Sequence, residues 1–377
     1  MRLTRDSRAS VHLDCLRGIS ALAVLAGHAR SLFLVDYAHV AAPEFLTRSL
    51  YFATALGHQA VVVFFVLSGL LVGSAVVRGA SDWHWKGYAV DRLCRLYVVL
   101  LPALIATAVW DFVGLAVGDR DVYAGVSGGT ALSYDAASRS DVGHFLASAA
   151  FCQTILLPPF GSNAPLWSLA NEFWYYVLFP MGVLAVRPGR VIARIGYLVG
   201  VGGIAWFVGD GILLLFPVWL AGAVILALPA IGSGRLVRLL AWLTGFGVLG
   251  LCAVIAAKRI PEASQDYILG AAAALWVYFL LHDRRPSVGS RWFRCYARVS
   301  RGLARSSYTL YLVHMPLLVF IRGLCPGDRW QPDAWAVHHL LIICATVWVY
   351  AQGFARLTEF RTDRLRGWAK ARRGSPT

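Results

Sequence analysis

Apolar stretches long enough to cross a bilayer recur along this chain, and that recurrence leaves few folds open. The hydrocarbon core takes about 20 consecutive apolar residues of helix, and inside it the backbone must satisfy its own polar groups. Ten stretches meet or approach that length, at approximately 12–34, 51–77, 93–117, 165–186, 194–209, 211–229, 236–257, 265–282, 305–322 and 336–356. The breaks between them hold Gly, Pro or charge. The 194–209 stretch is short, and the turn at 209–211 is very tight. The expected fold is all-α and polytopic, with about ten spans in one domain over 1–360 and a basic tail over 361–377.

Composition agrees. Apolar residues make up 58% and charged residues 15% of the chain, and mean hydropathy is +0.61, too apolar to coat a water-soluble globule. The formal net charge of +15 would suit nucleic acid, so the placement of the cations decides. With the N-terminus inside and the spans alternating, 27 Lys and Arg fall on the inner side. Eight fall outside: Arg30, Arg48, Arg120, Arg139, Lys258, Arg259, Arg322 and Arg329. That bias fits an even number of spans with both ends in the cytoplasm, and the inner belt suits anionic lipid rather than nucleic acid. Arg2, Arg5 and Arg8 before an apolar run resemble a signal peptide. Asp14 and Arg17 interrupt the run and no small-residue cleavage site follows, so the first span is expected to stay. The seven cysteines are scattered, with neither disulfide nor zinc-ligand spacing. The largest outer loop is expected over 118–164, with a short helix around His144–Thr154.

Ionisable side chains inside spans are costly and mark function. In Val11–Phe33, Arg17 and His28 are eleven residues apart. They share nearly one helix face and are separated by about 16 Å along the axis. His28 suits a general base on a hydroxyl. Arg17 suits either a ligand cation or a snorkelling anchor, and Asp14 is placed to pair with it. Arg92 and Arg95 lie one turn apart at an inner entrance, where two guanidinium forks match phosphate oxygens. Ser168 and Glu172 are four residues apart at the start of the fourth span, with Tyr175 and Tyr176 following. Glu172 could orient His28 or meet a sugar hydroxyl. In the ninth span Tyr311 and His314 share a face, Pro316 should bend the helix just after them, and His314 is a second acid/base candidate. Gly69 permits a close helix approach.

Five of these segments, in this order and spacing, resemble the bacterial integral-membrane acyltransferase 3 family: L-D-C-L-R-G-I-S-A-L-A-V-L-A-G-H, F-F-V-L-S-G, D-R-L-C-R-L-Y, P-L-W-S-L-A-N-E-F-W-Y-Y and S-Y-T-L-Y-L-V-H-M-P. The resemblance runs from His12 to about Ala355. It implies a multi-pass protein of the bacterial inner membrane that transfers an acyl group, often acetyl, from acyl-coenzyme A to a hydroxyl, commonly on a glycan. Acyl-CoA is then a co-substrate, with no permanently bound cofactor and no metal. The acceptor is a glycan, a lipid-linked saccharide or a similar hydroxyl compound. The family's R-x(10)-H pair falls on Arg17 and His28, and its R-x-x-R on Arg92 and Arg95. His12 departs from the Arg often found there, and the family's proline after the R-x-x-R-x-Y is absent at Val98.

On this reading Arg17, Arg92 and Arg95 hold the coenzyme phosphates and His28 and Glu172 serve catalysis. Asp14, Ser168, Tyr176, Tyr311 and His314 support or bind substrate. A pantetheine arm is about as long as four or five extended residues, on the order of 15 Å, close to the rise from Arg17 to His28. His28 as base or as transient acyl carrier remain open alternatives. The rival class is a multi-span transporter or flippase of a glycan or lipid-linked saccharide, but no matched halves with paired broken helices are visible. A second rival is a membrane sensor or assembly partner without catalysis, against which His28 and the arginines argue. Arg92→Ala is expected to weaken donor binding most among the arginines. An unchanged dependence of transfer on acyl-CoA concentration would make Arg92 a membrane anchor instead.

Overall fold

The computed structural model describes residues 7–79, 83–283, 290–325 and 327–371. Arg2, Arg5, Arg284, Arg285, Arg372 and Arg373 of the inner belt lie outside them, as does the side chain of Lys370. The described residues form helices and turns, with no named strand. In chain order the helices are α1 (Arg8–Phe33), α2 (Phe45–Thr54), α3 (Gly57–Gly79), α4 (Trp85–Val117), α5 (Arg120–Tyr123), α6 (Val142–Ala149), α7 (Leu166–Val186) and α8 (Val191–Leu213). There follow α9 (Phe216–Val224), α10 (Arg235–Ala256), α11 (Glu262–Leu281), α12 (Arg291–Arg305), α13 (Ser307–Gly323), α14 (Ala334–Leu357) and α15 (Thr362–Ala371).

Each expected span has a helix, and among the described residues eight are long and apolar enough to cross a membrane. The two others are α13, of 17 residues, and α9, of nine. At 1.5 Å per residue α9 rises only about 13 Å, too little to cross alone. The expected boundary at 209–211 explains this. Gly209 adopts φ +68° and breaks the helical path, but one further turn follows to Leu213. A new helix then starts with Pro217 in its first turn, where a missing N–H costs nothing. The start of the expected 211–229 span is thereby moved to Phe216, and α9 ends at Val224. The short helix expected near 144–154 is α6, which starts earlier because Asp141 accepts from the His144 N–H and caps it. α13 runs through Pro316 as one helix.

Large apolar side chains line the outside of these helices. Trp206 is 87% exposed and Ile192 85%, on the long helix α8. Such surface would aggregate in water and is ordinary against lipid.

The chain divides into two compact units, one of Met1–Ser20, His58–Trp83 and Asn171–Ala304, the other of Ala21–Gly57, His84–Ala170 and Arg305–Thr377. α1 and α7 each give one part to each. In the first unit α11 packs on α9 and α10, and α3 crosses α9 with backbone nearly in contact. A Cβ on Gly69 would lie 1.9 Å from the Trp219 carbonyl oxygen, and one on Gly222 1.9 Å from that of Val66. The reciprocal glycines let two helices approach without the aid of the hydrophobic effect, which lipid does not supply. In the second unit α13 packs on α4 and α14, and nearly its whole length is buried.

Gly69→Ala and Gly222→Ala are each expected to destabilise the first unit by roughly 1–3 kcal/mol, the usual cost of overpacking. Thermal unfolding of detergent-purified variants measures this. A melting temperature equal to wild type for both would mean that the crossing is looser than described.

Candidate functional site

The second unit brings His28 of α1 to His314 of α13. His28 Nδ1 and His314 Nε2 are 2.8 Å apart, with the two rings tilted by only 3°. The bonds around them assign the protons. His314 Nδ1 lies 2.8 Å from the Tyr311 carbonyl oxygen and 3.0 Å from that of Leu310. Carbonyls only accept, so His314 Nδ1 carries a proton. In the neutral ring His314 Nε2 is then a lone pair, which accepts from His28 Nδ1–H. The remaining lone pair of the pair sits on His28 Nε2. A histidine whose second nitrogen is held in this way has a fixed tautomer and ring orientation, and a proton taken at Nε2 strengthens the bond to its partner.

His314 is held by a buried polar frame. Asn163 donates to the Leu312 carbonyl at 2.9 Å and to Thr107 of α4 at 3.1 Å. Asp111 of α4 accepts from the Ser162 N–H at 2.8 Å and hydroxyl at 2.6 Å. Gly161 beside them adopts φ +56°, and a Cβ there would lie 2.2 Å from Asp111 Oδ2, so position and chirality both demand glycine. Ser168, at the start of α7, meets the Tyr311 hydroxyl at 2.6 Å, and Tyr311 donates to the Pro165 carbonyl at 3.1 Å. These bonds fix the 160–168 segment against α4 and α13 on the turn that carries His314. Thr107, Asp111, Ser162 and Asn163 were missed in the sequence. Asp111 alone gave a signal, as an acid inside a span.

Beyond His28, the C-terminal end of α1 is tied down. The Ser31 hydroxyl meets that of Thr130 at 2.8 Å and accepts from the Ala131 N–H at 3.0 Å. Arg329 donates to Asp36 at 2.8 Å, and this bond holds the Asp36 carboxyl below the usual carboxylate range. The tie is complete above that range and weakens only as pH falls through the lowered value. Trp330 donates its N–H to the Phe33 carbonyl at 2.7 Å, and its own carbonyl accepts from Val35 at 3.0 Å.

The other expected residues fall as follows. Arg17 Nη1 lies 4.0 Å from Asp14 Oδ1, so that local pair forms. Arg92 and Arg95 are on α4 in the second unit, with the Arg92 guanidinium 5.7 Å from the centre of the Tyr88 ring. Nearby, Asp91 receives Arg366 of α15 at 3.3 Å, which docks the start of the basic tail on α4. Glu172 belongs to the first unit. It accepts from Ser68 at 2.7 Å and from Tyr176, and Ser68 also accepts from Trp219 Nε1 at 3.2 Å. Ser168 and Glu172 share a helix face by spacing, yet each is engaged in a different unit. The partner of His28 is His314.

A family model described as an acyltransferase domain, acyltransferase 3, matches residues 11–351. Neither a curated protein nor a solved structure gives a match.

Asn163→Ala removes two buried hydrogen bonds from the turn below His314, and a loss of roughly 1–3 kcal/mol is expected. Thermal melts of the purified variant measure it. A wild-type melt would show that the frame does not hold α13.

Proposed function

The chain belongs to the acyltransferase 3 family, and on that footing we propose that it moves an acyl group, acetyl by preference, from acyl-coenzyme A to a hydroxyl of a carbohydrate or glycolipid at a bacterial inner membrane. The observation that carries this reading is the histidine pair. A hydroxyl is a poor nucleophile until a base receives its proton, and the His28 Nε2 lone pair, oriented through His314, is suited to do so.

The chemistry follows from that arrangement. The acceptor oxygen attacks the thioester carbonyl carbon as its proton passes to His28 Nε2. The imidazolium that forms is stabilised through Nδ1–H to His314. The tetrahedral intermediate collapses, the carbon–sulfur bond breaks, and the departing thiolate takes the proton from His28. The ester and coenzyme A leave, and the pair is neutral again. His314 touches neither reactant and acts as a positioning residue.

The donor's phosphates are assigned to Arg17, Arg92 and Arg95. Arg17 lies on the helix that carries His28, about 16 Å lower, with Asp14 holding its side chain. Arg92 and Arg95 lie in the same unit as His28. The donor thus enters from the cytoplasmic side and the acceptor from the other. Glu172, with Ser68 and Tyr176, is assigned to a saccharide hydroxyl, since a partly buried carboxylate among hydroxyls is a ready acceptor.

His28→Ala is expected to abolish transfer of labelled acetyl from acetyl-coenzyme A while membrane insertion stays intact. His314→Gln is expected to lower kcat by roughly 10²–10⁴-fold, the usual scale of general-base catalysis, with KM for the donor little changed. Retained transfer by His28→Ala would overturn the proposal, and saccharide movement without covalent transfer would establish a flippase.

A further inference from the structure

Helix α12 is the element that a search for long apolar stretches does not reveal, because arginines interrupt it throughout. Five of them, Arg291, Arg294, Arg298, Arg301 and Arg305, recur three or four residues apart, and the helix holds no Asp or Glu. That spacing sets all five along one edge, and all are exposed. Like charges at such spacing repel and weaken a helix, so the row is built at a cost that an anion would offset.

α12, as far as Ala304, runs beside the first part of α1 within the first unit. The Arg8 guanidinium lies 4.4 Å from the centre of the Phe293 ring. His12 Nδ1 meets the Tyr296 hydroxyl at 2.8 Å. A Cβ on Gly18 would lie 2.4 Å from the Leu303 Cβ, so the two helices touch beside Arg17. Asp14 lies in the field of both Arg17 and Arg301. Asp14 is the one carboxylate on these two touching helices, which carry Arg17 and the α12 row, so positive charge is in excess there.

We infer that the arginine edge of α12, led by Arg301, forms part of the donor site and binds a phosphate of acyl-coenzyme A together with Arg17. The inference rests on the acyl-coenzyme A reading above. The nucleotide end of coenzyme A carries a pyrophosphate and a 3′-phosphate, more negative charge than Arg17 can meet while Asp14 shares it. Guanidinium forks from neighbouring helices are suited to phosphate oxygens. The same chemistry would bind phospholipid headgroups, and a separate α12 edge, with Trp292, Cys295 and Val299 exposed, is apolar enough to touch lipid. The contact of α12 with α1 at Gly18, next to Arg17, favours the coenzyme.

The test is calorimetric binding of coenzyme A to the full chain in nanodiscs made with and without phosphatidylglycerol. Arg301→Gln is expected to raise Kd at least about tenfold in both, as for one lost charge-assisted hydrogen bond. Arg298→Gln should give a smaller loss, and Arg238→Gln on α10 none. Wild-type affinity in Arg301→Gln would overturn the inference and leave the acyl-coenzyme A reading standing, with the row serving headgroups. Failure of the wild-type protein to bind coenzyme A would overturn both.

Discussion

The bond between His28 and His314 depends on a constraint that runs through the whole second unit: inside a membrane each polar group needs a partner. Two imidazoles meet that demand together because one of them is anchored on helix carbonyls. The Tyr311 and Leu310 carbonyls fix the proton on His314, His314 fixes the proton on His28, and the lone pair is left at His28 Nε2. The frame of Thr107, Asp111, Ser162 and Asn163 is the price of holding that turn still. Its donors and the Asp111 carboxylate are paired in a buried core, and it fixes the loop that leads into α7.

Much of this was legible in the chain itself. Spanning lengths and the arginine bias indicate an all-α polytopic fold, and α1, α3, α4, α7, α10, α11 and α14 fall on the expected stretches within a turn or two, apart from α4, which starts earlier. His28 stood out because a membrane helix does not need it. The pairing with His314, 286 residues away, was not legible, since no local period carries it. Each histidine was visible as a candidate, but which side chain would orient His28 was not, and Glu172 seemed equally placed by its position early in a span. Its hydrogen bonds run instead to Ser68 and Tyr176.

The misses share a cause. Hydropathy sees length and composition but not where a backbone turns. Gly209 and Pro217 shift the start of one expected span, which keeps only the nine residues of α9, and the proline is apolar enough to pass unnoticed in a window. α12 failed in the opposite way. Its charge reads as loop, although its Phe293, Tyr296, Ala297, Ser300 and Ala304 recur at helical spacing on the side away from solvent. Small glycine contacts were easier: Gly69 was legible as a close approach, and only its partner Gly222 had to be found in the structure.

The most direct test is a cryo-electron-microscopy map of the full chain in nanodiscs with a non-hydrolysable acetyl-coenzyme A analogue. The acyl carbon is expected about 4–5 Å from His28 Nε2, close enough for a hydroxyl that is hydrogen-bonded to the nitrogen to lie about 3–3.5 Å from that carbon, with phosphate density against Arg92 and Arg95. Analogue bound with its acyl group away from His28, or with its nucleotide at the outer ends of α1 and α13, would contradict the account.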